Sequence, residues 1–249
     1  MNLQDIIKVP YSTRPHMSRN TGPVFNTNPD TFYIEQKSHQ IKLFGDNLFG
    51  ATSEAVDSNL VRKISIALDQ KETDTIVDLA LNFEEDIAIM YNGILSAICF
   101  CFPSSWIPKS ALGKTLEQIH RPVADGDYLR QASSKLSRTM ADPVLGSFRR
   151  CVWTITPVPF LSCYPEVLKH YKGHKPNIDS LYFRKEIQTT MPLADGITSV
   201  FFVKVEVDPL KLYWNDHKEL ILSSINSMTD SVLKYKNLVG IKDYLNRLE

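Results

Sequence analysis

The sequence is poor in cysteine: four residues in 249, and Cys99, Cys101, Cys151 and Cys163 form no C-x-x-C pair. Neither a disulfide scaffold nor a zinc ribbon is expected from that usage, and in a reducing compartment these residues are thiols. Cys99 and Cys101 alternate along one apolar strand, where free cysteine packs as a small hydrophobe. An excess of charge of one sign is also missing. Lysine plus arginine and aspartate plus glutamate both total 28, so no global field draws in nucleic acid or an anionic membrane surface. No stretch approaches the ~20 apolar residues that span a bilayer. The N-terminus, MNLQDIIKVPYSTRPHMSRN, has no apolar run after a basic start, so no secretory signal is expected and the cytoplasm is the expected compartment. There is no G-x-S-x-G, G-x-x-x-x-G-K-[ST], H-E-x-x-H or G-x-G-x-x-G, which sets aside the nucleophile elbow, the P-loop, the zincins and the dinucleotide fingerprint.

What is present is the composition of an ordinary globular protein, 43% apolar and 22% charged. Residues 1–32 are rich in Pro, Asn and Thr without periodicity and read as an extended arm or ordered loop. The segment IEQKSHQIKLFGDN reads equally as helix or strand. From a cap at Thr52 or Ser53, the residues Val56, Leu60, Val61, Ile64 and Leu68 fall on one side and predict an amphipathic helix. A shorter helical segment, TDTIVDLALNF, leads to a strand over 86–91. An Asn92-Gly93 turn and a second strand over 94–102 complete a hairpin. A loop with Pro103, Trp106 and Pro108 precedes a short helix that aims Leu112, Leu116 and Ile119 inward. His120 stands at the edge of that stripe, just before Arg121-Pro122 ends the helix.

Downstream, Asp127 caps a helix with Leu129, Ala132, Leu136 and Met140 on one face, and RRCVWTI alternates as a strand. The loop from Thr156 to Ser180 has the length of a lid or connector. Two further strands, over 181–190 and 197–207, and a last helix opened by an Asp216/Glu219 capping box complete the chain. Five strands, with helices grouped between the second and third, predict an α+β antiparallel sheet with flanking helices and one face covered. Residues 1–80 read as an arm and helical flank, and residues 81–249 as the sheet with a C-terminal helix, together one compact unit.

The run EED-x-A-x-M, then CFPSSWIP, then LGKTLEQIHRPV resembles the haem-dependent oxidative N-demethylase family, and the likeness extends over roughly residues 80 to 240. The resemblance implies a PAS-like haem-binding domain that removes a methyl group from a small methylated amine with O2. It implies haem b as cofactor. The chain has no flavin or iron–sulfur motif of its own, so electrons are expected from another polypeptide, and the resemblance implies that this is a separate flavin/iron–sulfur reductase with an NADPH-linked supply. Whether the chain forms a homo-oligomer is left open. A non-catalytic haem or small-ligand sensor of PAS type is the alternative reading, because fold does not fix function.

From position alone, His120 reads as a satisfied or surface histidine; the resemblance makes it a candidate ligand of haem iron. Period two puts Tyr182, Arg184, Glu186 and Gln188 on one face of SLYFRKEIQTT. By itself this is a solvated face with an ion pair. The family carries an R-x-E-R-Q-like word there, so the resemblance implies that Glu186 holds the ammonium of the substrate, and that Arg184 meets a haem propionate or orients Glu186. Ile187 replaces the second arginine of that word, and Val152 the asparagine of an R-x-N-W-like word ending in Trp153. Trp153 reads as plain core or as a wall of the haem pocket. Arg121, with Lys109, Lys114, Arg149 and Arg150, is a candidate propionate contact. His170 and His174 flank Gly173 in a Pro-rich loop, which disfavours a metal pair.

Overall fold

A computed structural model describes residues 3–248. In chain order the elements are α1 (Leu3–Ile6), β1 (Ser18–Arg19), α2 (Thr31–Phe44), β2 (Phe49–Ala51), α3 (Ser53–Asp57), α4 (Leu60–Ala67), α5 (Ile76–Ala80), β3 (Asp86–Tyr91), β4 (Ile94–Cys99), α6 (Leu116–Ile119), α7 (Asp127–Ala141), β5 (Phe148–Thr156), α8 (Pro165–Tyr171), β6 (Tyr182–Pro192), β7 (Thr198–Pro209), α9 (Lys211–Asn226), α10 (Asp230–Tyr235) and α11 (Val239–Leu245). The strands form an antiparallel sheet in the order β1-β5-β6-β7-β3-β4-β2, so the fold is the expected α+β sheet with flanking helices. Asn92 and Gly93 both take positive φ, 49° and 77°, the left-handed pair that closes a two-residue hairpin, here between β3 and β4.

Alternation along the strands sorts their residues onto two faces. On one face Trp153, Ile155, Leu181 and Phe183 are buried against Trp214, Ile221 and Ile225 of α9. Farther across the sheet, Ile87, Ile89, Cys99 and Phe202 pack on the helices α4 and α5. Cys99 and Cys101 are free, buried thiols in this core, as their alternation led one to expect. The opposite face carries Arg184, Glu186 and Gln188 of β6, and beside them Ala88, Met90 and Ile98 pack under Trp106, Leu116 and Ile119. The helix α6 therefore lies on the face that bears Glu186.

Several elements differ from the sequence expectation. The arm supplies α1 and the edge strand β1, and β2 closes the other edge, so the sheet has two strands more than the five expected. The undecided segment is helical, started by Asp30, whose side chain accepts from the Phe32 amide. The helix expected from Thr52 is two, because Asn59 sits in the left-handed region at φ 53° and restarts the chain as α4. The helix after Pro108 is also divided, into a 3-10 turn over Pro108–Ala111 and α6, with Gly113 at φ 73° between them. The 156–180 loop holds α8. Asp216 does not open the last long helix: α9 begins at Lys211 with no side-chain cap, since burying Leu210 and Trp214 outweighs the missing cap.

Candidate functional site

Two of the three sequence words, EED and CFPSS, converge on Glu186. Asp86, the last acid of EED, accepts from the backbone amides of Cys101 and Phe102, both at 2.8 Å, and so pins the start of the CFPSS loop. Asp86 is fully buried, and burial pushes its carboxyl up to about 6 against the pull of Lys37 and of those two amides. The pinned loop presents two groups to β6. The Phe102 carbonyl accepts from Arg184 Nη2 at 2.7 Å, and the Ser104 hydroxyl donates to Glu186 Oε1 at 2.7 Å.

Arg184 and Glu186, two apart on one strand, share a face and pair at 2.5 Å. Arg184 is 1% exposed at its side chain and Glu186 is 19% exposed, so the arginine is the floor and the carboxylate the surface of the site. Gln188 Nε2 donates to Glu186 Oε2 at 3.0 Å. Burial alone would raise the Glu186 carboxyl; Arg184, Ser104 and Gln188 outweigh it and hold the group below its ordinary value, hence ionised. Arg184 spends Nη1 on Glu186 and Nη2 on the carbonyls of Phe102 and Leu161. Its geometry is that of a group orienting Glu186.

A four-residue helix positions His120. A capping box between Thr115 and Gln118 starts α6, and His120 is its C-cap. The half-buried ring lies 2.7 Å, through Nδ1, from the Leu116 carbonyl. Since a carbonyl only accepts, Nδ1 carries the proton and Nε2 keeps its lone pair. Burial and the nearby Arg150 guanidinium lower the tendency of this ring to protonate, against the carbonyl contact, so the imidazole is neutral. Arg150 links the two halves of the site: it stands opposite Gln188 in the register of β5 and β6, and its Nε donates to Gln188 Oε1 at 2.5 Å.

Two expected site residues lie elsewhere. Arg121 points outward, 65% exposed, and pairs with Glu117 one helical turn back. Trp153 alternates onto the other face, stacked on Phe183 at 5.5 Å between ring centroids, under the C-terminal helices. His170 lies in α8 and His174 beyond it, and no group of three or more potential metal-ligating side chains occurs among the described residues. Residues that periodicity alone did not single out gather at the open edge of β5. Lys236 donates to the Trp153 carbonyl at 2.7 Å, with burial pulling its amine down to about 8. Tyr11, from the arm, is pushed up to about 12 by burial and by Tyr235, against Arg150. A cavity of about 440 Å³ adjoins α6 on its Leu116–Glu117 side, bounded by α7 and the hairpin tips at Asn92-Gly93 and Gly196-Ile197. Neither His120, Arg150 nor Glu186 lines it.

The donors suit haem. A neutral imidazole with a free Nε2, set by its own carbonyl contact, is the usual form of a metal-ligating histidine, and a half-buried arginine without a carboxylate partner acts on it through its charge. The class of protein is an antiparallel α+β sheet with an ionised carboxylate on one face and a helix bearing a neutral histidine packed over that face. The family is then specific: residues 29–246 match haem-dependent oxidative N-demethylase, alpha subunit-like, and the chain belongs to that family. Haem dependence and N-demethylase-type oxidoreductase chemistry are properties carried by the family name, and an alpha subunit implies a partner subunit. A comparison with curated proteins gave no match. Among the described residues, no helix is long and apolar enough to cross a membrane.

Proposed function

We propose that this chain is the haem-holding subunit of an oxidative N-demethylase acting on a small methylated amine with O2, electrons coming from a separate flavin/iron–sulfur reductase supplied by NADPH. The observation that carries the reading is the ionised Glu186, held by three donors on the face over which α6 brings His120. His120 Nε2 would hold the iron, and haem b, when bound, supplies the activation of oxygen. Glu186 receives the ammonium of the substrate: its negative charge is fixed before the amine arrives, so little reorganisation accompanies binding. Arg184, Ser104 and Gln188 orient that carboxylate and keep it from rotating away.

Visible absorption of the purified protein with and without dithionite tests the cofactor, and formaldehyde release from mono-, di- and trimethylamine with reductase and NADPH tests the reaction. His120→Ala is expected to abolish the iron-ligand bands; an unchanged spectrum removes His120 from the iron. The alternative, a haem or small-ligand sensor without turnover, is favoured by one observation. Val152 stands directly opposite Glu186 in the register and offers it no polar contact. Haem retention without formaldehyde release from any amine selects that alternative.

A further inference from the structure

Arg150 is a half-buried cation without a counter-ion. Its hydrogen bond among the described residues is from Nε to Gln188, and no described carboxylate lies within ion-pair distance. The groups that feel its charge are His120, His16 and Tyr11, all uncharged near neutral pH, with the Cys151 thiol and Glu186. Glu186 is the one anion of that set, and Arg184 already pairs with it. Gln188 enforces the separation, since its oxygen takes Arg150 at 2.5 Å while its amide donates to Glu186 at 3.0 Å. The glutamine is thus a neutral spacer between a guanidinium and a carboxylate that would otherwise pair. Two guanidinium groups face one carboxylate, and the surplus charge lies at the nitrogens Nη1 and Nη2 of Arg150, whose planar fork matches a carboxylate.

We propose that Arg150 is a carboxylate receptor on the His120 side of the sheet face, completed by a carboxylate that the guest brings with it. This inference rests on the reading above that the face holds haem. Two sources supply the same chemistry: a propionate of the haem, or the acid group of an N-methyl amino acid. Gln188 acts as a positioning residue that keeps the receptor vacant.

Haem and haem dimethyl ester, which lacks both carboxylates, are titrated by absorbance into the apoprotein of the wild type, Arg150→Gln, Arg150→Lys and Gln188→Glu. The expected result is a preference for the diacid of roughly 10- to 100-fold in wild type. Arg150→Gln loses that preference. Arg150→Lys keeps part of it. Gln188→Glu loses it with the guanidinium still in place, because the new carboxylate fills the receptor from within. Gln188→Glu also guards against reading misfolding of an Arg150 variant as loss of the site. If diacid and ester bind equally in wild type, N-methylglycine and dimethylamine are compared by the shift each causes in the haem spectrum. An N-methylglycine preference lost in Arg150→Gln assigns the receptor to the substrate. No preference in either comparison overturns the receptor and leaves haem binding standing. A wild type that takes up neither porphyrin sinks the haem reading, and the receptor with it.

Discussion

At the scale of single residues, the buried pair Arg184/Glu186 sets both stability and chemistry. Removing one partner of a buried ion pair leaves the other uncompensated, so Arg184→Met is expected to cost roughly 3–5 kcal/mol, read from the urea midpoint. Adding Glu186→Gln to it should recover part of that loss, because no anion is then stranded; strictly additive costs would show that the two residues do not act as a pair. Asp86 makes the opposite kind of prediction. Its folded carboxyl titrates near 6 against an ordinary 3.8, so between those values the folded state holds the proton more tightly than the unfolded chain. Stability from this group is therefore full at low pH and is lost as pH rises from about 4 to about 6. The difference is roughly 3 kcal/mol, from ~1.4 kcal/mol per pH unit. Asp86→Asn cannot ionise, so its stability relative to wild type should rise by about that amount over the same window in paired urea titrations. A relative stability flat with pH would place the titration elsewhere.

At the scale of elements, the weak point is α6, four residues that carry His120 and depend on the Thr115/Gln118 capping box. Thr115→Ala is expected to cost about 1 kcal/mol and to weaken haem retention measured by absorbance. Thr75→Ala removes the cap of α5, which packs under the other face, and should cost a similar amount with haem retention unchanged. Equal loss of haem in both variants would mean that general stability, not the aim of α6, governs retention. The same scale shows what was legible in the sequence. Period two put Arg184, Glu186 and Gln188 on one face, and the left-handed demand of Asn92-Gly93 located its hairpin, because both are local. The edge strands β1 and β2 are two and three residues long, too short for any period to register. Which of Arg149 and Arg150 faces Glu186 depends on the pairing of β5 with β6, a relation between segments some 38 residues apart. Arg121 and Trp153 stood in the right words but point away, since adjacency in a word says nothing of which side of a strand or helix turn a residue takes.

At the scale of the whole molecule, the N-terminal arm joins the two faces of the sheet around the β5 edge. Leu3, Ile6 and Ile7 are buried among the C-terminal helices. The Lys8 carbonyl accepts from Ser224 at 2.7 Å and the Tyr11 amide donates to Ser227 at 2.8 Å, both near the end of α9. Two residues later Thr13 donates to the carbonyl of Asp125, in the linker between α6 and α7, and Ser18 then pairs with Arg149. Asp125 closes the same seam from the other side by accepting from Thr229 and Ser231 at the start of α10. The elements that aim His120 are thus tied to the helices on the far face through the arm. Ile7→Ala leaves a cavity under α9 and is expected to cost about 2–5 kcal/mol in the urea midpoint. Loosening there should also free the following segment, so trypsin should cut after Arg19 faster than in wild type at equal folded fraction; the Arg14–Pro15 bond resists trypsin in both. A lowered midpoint with cleavage unchanged would show that Ile7 only fills space. A faster cut together with weaker haem retention would show that the arm holds the β5 edge closed for the site on the opposite face.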